Sequence, residues 1–357
     1  VLNGDWKVEQ RKTDRGIEHI VQLRDMDTME LDDDTPSWVD PWASVLFSEH
    51  ASWREVADWG RQLFAGIVDA GPGVREIAAK IEHDNPTRAI KIVRALKFVQ
   101  DEIRYVGIEL GENSHQAVAA ETTLKRRYGD CKDKTTLMIS LLGTMGIKSY
   151  PALVNTDEMG TLAGRIPSKN AFNHVIVAVP HADSTYWLDP TRQHQAANLN
   201  EIYQPNYELA LLLDDSSADL TPMNARVLAS GYDVNEHYTI DGDNPDLVEL
   251  TVDTQYYGYS AETQTRRLQR KGLDQLKADY LEFYQGYYPA IEQLEVSAAA
   301  VDEQQSRFKL REEYRIRDFW EIEEDNQRKL GWIYSNAVNS ALDIPDKIQR
   351  SQDYALD

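Results

Sequence analysis

The sequence predicts an α+β protein in which a buried helix packs on an antiparallel sheet, with β-rich segments on either side. Apolar residues recur at helical spacing from about residue 52 to 147 and run as β-prone segments from about 149 to 190. Beyond about 225 they form further paired β-runs. Helices gathered in one stretch and strands in the next mark an α+β chain rather than the strict alternation of a parallel α/β sheet.

Residues 1–50 read as the end of a β-rich unit. Residues 17–23 carry β-formers, and Trp6-Lys7-Val8 is their expected hairpin partner. Two strands make no stable sheet alone, so this pair is expected to dock on the C-terminal region or on chain preceding Val1. The sequence opens without Met and without a charged-then-apolar leader, as a mature product or a fragment would; any targeting segment would lie outside it. Asp32-Asp33-Asp34 before Thr35-Pro36 reads as a solvated loop, not a metal cluster.

From Ser52 the period becomes helical. Ser52 with Glu55 has the capping-box form, and Val56, Trp59, Leu63, Phe64 and Ile67 share a face. Gly71-Pro72-Gly73 is expected to end that helix, and residues 74–81 suggest a shorter one. Asn85-Pro86 then opens a third as N-cap and first helical position. Its stripe of Ile92, Leu96, Val99 and Ile103 turns Arg88, Lys91, Arg94 and Lys97 outward. Residues 105–111 are glycine-punctuated and lead to His115 and Gln116. A short helix over 120–128 delivers the chain to Tyr128-Gly129-Asp130-Cys131.

Cys131 is the only cysteine in 357 residues. Leu137, Met138, Leu141, Leu142 and Met145 make residues 131–146 a mostly buried helix that stops at Gly146. Cys131 therefore sits in a first turn, where unpaired N–H groups and the helix dipole favour a thiolate. Lys125, Arg126 and Arg127 nearby would help to hold it, and Gly129 would let a substrate backbone approach. A lone cysteine beside an apolar helix is also commonly a small buried hydrophobe. Chemistry requires a base from elsewhere in the chain.

Residues 149–154 are β-prone, 155–170 form a polar loop, and 172–179 are the strongest strand. Residues 180–184 are expected to turn it back into 185–189, closed by Pro190-Thr191. Such a hairpin sets His174 and Asp189 side by side. A histidine in an apolar strand is, taken alone, a satisfied core residue. Cysteine at a helix start, histidine on a strand and a carboxylate on its neighbour supply nucleophile, base and orienting group. Among the other histidines only His115 rivals His174 as the base. Farther on, 232–240 and 247–256 form a hairpin around an aspartate-rich turn that lacks the glutamate of an EF-hand loop. Helices over about 260–271 and 273–285 and strands over 292–301 and 306–316 follow.

The 38 basic and 60 acidic residues leave a net charge of −22, which argues against a nucleic-acid surface or a polybasic membrane anchor. No run of 18 apolar residues occurs, so no segment of this chain is expected to insert in a membrane. One cysteine excludes an internal disulfide and a multi-cysteine zinc site. Scattered histidines without H-x-x-H spacing leave no metal or cofactor expected.

Residues 126–134 (Arg-Arg-Tyr-Gly-Asp-Cys-Lys-Asp-Lys), Phe172-Asn173-His174-Val175, and Tyr186-Trp187-Leu188-Asp189-Pro190-Thr191 resemble the transglutaminase-like superfamily. More narrowly, the chain resembles bacterial multidomain proteins in which such a core follows a β-rich domain called DUF3857. The resemblance implies three parts: a DUF3857-like remnant over 1–50, a papain-like catalytic core over 51–225, and a β-rich accessory domain with helical insertions over 226–357. It implies Cys131 as nucleophile, His174 as general base and acid, and Asp189 as orienting carboxylate, with Tyr128, Gly129 and Asp130 supporting the motif. One oxyanion donor would be the Cys131 N–H, and Tyr105, with Gln116 behind it, is the expected second. Animal transglutaminases typically have tryptophan where this chain has Lys132, and use calcium sites not located here. Thiol-dependent acyl transfer on protein or peptide amides is thus expected, with hydrolysis favoured over cross-linking. The competing expectation is a non-catalytic binding or assembly module. The resemblance also implies an extracytoplasmic site, the bacterial periplasm.

Overall fold

A computed structural model describes residues 6–24, 35, 42, 44–66, 68–84, 87–107, 115–195, 198–224, 226, 228–244, 246–298, 302, 304–323 and 328–334, and structural statements concern these. The expected N-terminal hairpin is present but shifted. Strand β1 (Val8–Thr13) pairs with β2 (Gly16–Val21), so Trp6 and Lys7 precede the ladder rather than form it. Asp14-Arg15 make the turn, and Gly16 takes a φ of 140° that side chains resist. The pair is a sheet of two strands, and no third strand joins it among the described residues.

Helix α1 (Trp53–Phe64) starts at Ser52, whose hydroxyl accepts the Glu55 N–H. Glu55 accepts the N–H of Ala51 at 2.7 Å, one residue beyond the N-cap N–H of a reciprocal capping bond. The helix stops at Phe64, well before Gly71. Pro72 instead opens α2 (Pro72–Asp84), where a missing N–H costs nothing. Glu121 caps α2 from a distance by accepting the N–H groups of Gly73 and Val74. Helix α3 (Arg88–Glu102) is capped by Thr87; Asn85 and Pro86, like Ile67, lie outside the described residues. Its buried stripe contains Ile92, Leu96 and Val99 as expected, and also Gln100. Lys91 and Lys97 are half-buried rather than outward: Lys91 pairs with Glu82, and Lys97 donates to the Gln195 carbonyl.

The short strand β3 (Arg104–Tyr105) runs parallel to β4 (Tyr128–Gly129). Between them α4 (Ala120–Arg126) ends on Arg127, which has a φ of 60°. Helix α5 (Cys131–Thr144) follows directly and is buried on nearly every side. Leu137, Met138, Leu141 and Leu142 share a core with Ile92 and Leu96 of α3 and with the sheet residues Val177, Val179 and Leu188. Helices α2, α3 and α4 cover one side of α5, and the other lies on an antiparallel sheet. Its strands are β5 (Tyr150–Val154), β6 (His174–His181), β7 (Ser184–Leu188), β8 (Leu209–Leu212) and β9 (Thr221–Pro222), in the order β7-β6-β5-β8-β9. The last two strands were not expected from the sequence.

A second antiparallel sheet follows. Strands β10 (Gly231–Ile240) and β11 (Val248–Tyr257) precede α6 (Tyr259–Lys271) and α7 (Leu273–Gln285); β12 (Ile291–Ala298) and β13 (Arg307–Ile316) complete the order β10-β11-β13-β12. A two-strand pair, β14 (Trp320–Ile322) with β15 (Lys329–Gly331), closes the described chain. Glu312 of β13 is buried in this sheet, where the Tyr314 hydroxyl donates to it and burial pushes its carboxyl up to about 7. Among the described residues no helix is long and apolar enough to cross a membrane.

Candidate active site

Cys131 is the first residue of α5 and 4% exposed. The helix start is anchored by a complete capping box. Asp130 accepts the N–H groups of Lys132 and Asp133, and Asp133 accepts the Asp130 N–H. The Lys134 N–H goes to the Asp130 carbonyl, so Asp130 takes every N–H of the first turn except that of Cys131. The first-turn N–H groups expected to be unpaired and to favour a thiolate are thus largely taken by a carboxylate at the positive end of the helix. Lys132 balances Asp130 at 2.7 Å. The nearby basic residues are turned to carboxylates rather than to the thiol: Arg126 to Asp133, Lys125 to Glu121 and Arg127 to Glu102. Gly129 also has a different reason than the one anticipated. A Cβ there would come within 2.6 Å of Asp133 Cβ, so glycine makes room for the capping box.

His174 begins β6, directly opposite Val154 of β5. The β6–β7 ladder ends in a two-residue turn, Ala182-Asp183, with Ala182 at a φ of 51°; the strand runs through Pro180, and the five-residue turn is not formed. With Val177 opposite Leu188, this register makes His174 and Asp189 diagonal neighbours on one face rather than facing partners. They still meet, with His174 Nε2 2.9 Å from Asp189 Oδ2. The other carboxylate oxygen, Oδ1, accepts the N–H and hydroxyl of Thr191 at 2.8 and 2.7 Å. Across the cleft, the Thr135 hydroxyl donates to the Val175 carbonyl and ties α5 to β6 one residue from His174. The Cys131 thiol lines the same cleft as the His174 ring and adds a little to the pull that keeps that ring charged.

Burial alone would lower the basicity of His174, but the Asp189 carboxylate overrides it, with Cys131 adding, and holds the imidazole up at about 10. Asp189 is held below the usual carboxylate range: burial opposes this, and His174 and Thr191 outweigh burial. A second cation lies near. Lys134, fully buried, donates to the Ile103 carbonyl at 2.6 Å, and burial lowers its ammonium to about 8 against the pull of Asp189 and Asp101.

Cys131 and His174 open on a cleft of about 220 Å³, walled on its apolar side by Trp59, Leu63, Phe172 and Leu153. His115 lines it too, edge-on to Trp59 at 5.3 Å. Tyr105 and Gln116 are exposed, and neither is among the lining residues. Trp59, Phe172 and Thr191 were read from the sequence only as helix-face and motif positions, without a role at the site; Thr191, two residues after an aspartate, carried the local signal of an Asx turn. Among the described residues no group of three His, Cys, Asp or Glu side chains suits a metal ion.

Residues 75–190 match the model of the transglutaminase-like superfamily. That segment, about a third of the chain, is a transglutaminase-like core, and it holds all three of Cys131, His174 and Asp189. The fold class is α+β, as the sequence predicts. No curated protein matches the sequence. Two solved structures show likeness at 11% identity. One is of a candidate protease from Parabacteroides distasonis (TM-score 0.47; 88% of this chain and 63% of that one). The other is of a candidate cysteine protease from Cytophaga hutchinsonii (TM-score 0.24; 52% and 62%). This chain thus spans less than two thirds of either, and likeness at this level carries no argument about chemistry.

Proposed function

We propose that this chain is a thiol-dependent acyl-transfer enzyme acting on amide bonds, with water rather than an amine as the usual acceptor. The observation that supports it is the His174–Asp189 hydrogen bond at the wall of a cleft that Cys131 also lines. Cys131 Sγ, as thiolate, attacks the amide carbonyl carbon. The oxygen takes up negative charge facing the Cys131 N–H, the first-turn donor that Asp130 does not use. The His174 imidazolium protonates the departing amine, the C–N bond breaks, and a thioester remains. Neutral His174 then takes a proton from water, whose oxygen attacks the thioester; the acid leaves and the thiolate returns. Asp189 holds the ring and its charge throughout. Lys132, standing where animal transglutaminases typically have tryptophan, favours hydrolysis over cross-linking.

With a single cysteine, iodoacetamide reports on this site alone. Wild-type Cys131 is expected to alkylate readily at pH 6, where an ordinary thiol of pKa about 8.5 is almost wholly protonated. His174→Ala should slow that reaction by on the order of tenfold or more. Equal rates in the two proteins would show that no thiolate–imidazolium pair exists.

A further inference from the structure

The backbone that carries Asp189 is tied to a helix far beyond the matched core. Gln100 of α3 uses its amide nitrogen twice, donating to the Asp189 carbonyl at 2.9 Å and to Gln195 Oε1 at 2.7 Å. Gln195 donates in turn to Glu262 Oε1 at 3.3 Å and to the Tyr203 carbonyl at 2.6 Å. The acceptors at both ends, a carbonyl and a carboxylate, fix the direction of both amides, since a flipped Gln100 would set oxygen against oxygen. A second path returns from the same carboxylate. Arg192 donates to Glu262 Oε2 at 2.5 Å, and its own N–H goes to the Asp189 carbonyl at 3.3 Å. Its guanidinium lies 5.4 Å from the Tyr203 ring centre and 4.9 Å from that of Tyr259, rings that stack on each other at 5.8 Å.

Gln100, Gln195 and Glu262 are each 2% exposed or less. A buried ion pair is a poor source of stability, because desolvation offsets its attraction; fixing a geometry is its better-attested use. Here the fixed element is the turn that ends in the Asp189 carboxylate. Arg192 also feels both Glu262 and Asp189. Removing the Glu262 charge would leave Arg192 to be balanced by Asp189, in competition with His174.

We propose that Glu262, on α6 of the C-terminal sheet region, is a positioning residue for Asp189, acting through Arg192 and through Gln195 and Gln100. The C-terminal region is thereby part of the site rather than an appendage to it. The proposal rests on the acyl-transfer reading above, and the two fail separately.

The test is the pH profile of Cys131 alkylation in the full chain, read beside thermal unfolding. Glu262→Gln is expected to lower the pH 6 rate about tenfold, the size of coupling found within one hydrogen-bonded network. The alkaline inflection of the profile should move down with it. Glu262→Asp, which keeps the charge but shortens the reach, should fall clearly between Glu262→Gln and wild type. Should Glu262→Gln fail to fold, Glu262→Asp still decides, because its shortened reach predicts a smaller loss in the same direction. A wild-type profile in whichever of the two folds, even at a lowered melting temperature, would make Glu262 a structural tie only and overturn the proposal. If His174→Ala also leaves alkylation unchanged, the acyl-transfer reading fails as well; if it slows alkylation while the Glu262 variants do not, only the positioning role fails.

Discussion

Cys131 lines the cleft beside His174, Asp189 holds the His174 ring, and the two are fixed by opposite means. The cysteine is fixed by its immediate neighbours: Asp130 and Asp133 close the capping box within three residues, and Gly129 leaves room for it. The aspartate has Thr191 beside it, but its backbone depends on partners 89 residues away in Gln100 and, through Gln195 and Arg192, 67 and 70 residues farther on in Glu262. One end is set by secondary structure, the other by tertiary packing. Damage should therefore stay local at the first and spread at the second.

The strongest way to probe the difference is Asp189→Asn. The amide preserves shape but not charge, so turnover of a peptide or activated ester should fall by on the order of 10⁴-fold, as when a triad carboxylate is neutralised elsewhere. The pH profile gives a sign as well. A histidine held at about 10 keeps its proton below that value and loses it above, so the wild-type reaction should decline as pH rises through about 10. In the variant that decline should move towards the ordinary histidine value of about 6.5. A limb that stays in place would show that Asp189 does not govern His174. The same interaction stabilises the fold: its contribution is complete below about 6.5 and fades as pH approaches 10.

Asp130→Ala tests the local end and should do less. Loss of the N-cap is expected to cost about 1–2 kcal/mol, seen in denaturant unfolding. The position of the alkaline limb should not move. A shift in that limb would mean that the capping box and the carboxylate end are one network after all.

The same contrast explains what could be seen in the sequence. Helix α5 was legible because its leucines repeat at helical spacing and Gly146 stops it. The pairing of β6 with β7 was legible from runs of Val, Ile, Tyr and Trp around a turn. The turn itself was misjudged because Pro180 looks like a strand breaker, yet it sits in the ladder opposite Thr185. Strands β8 and β9, of four and two residues, are too short to show a period. Asp130 as a cap was visible in principle, since Asp-x-x-Asp before an apolar run is a capping signature. Gln100, Gln195 and Glu262 had no local signal at all. A buried glutamine within a basic-faced helix is known only once its acceptor, far along the chain, is in place.

The buried Glu312 of the second sheet has a different consequence. Its carboxylate accepts from the Tyr314 hydroxyl, but burial outweighs that bond, so its carboxyl sits near 7 instead of the usual 4.5. At pH 6 the folded sheet holds a proton that the unfolded chain has already released. Unfolding in weakly buffered solution at that pH should acidify the medium, and calorimetry in buffers of different ionisation enthalpy should resolve about one proton per chain from this group. The C-terminal sheet is in this sense a store of one proton, full in mildly acidic solution and emptied as the surroundings turn alkaline.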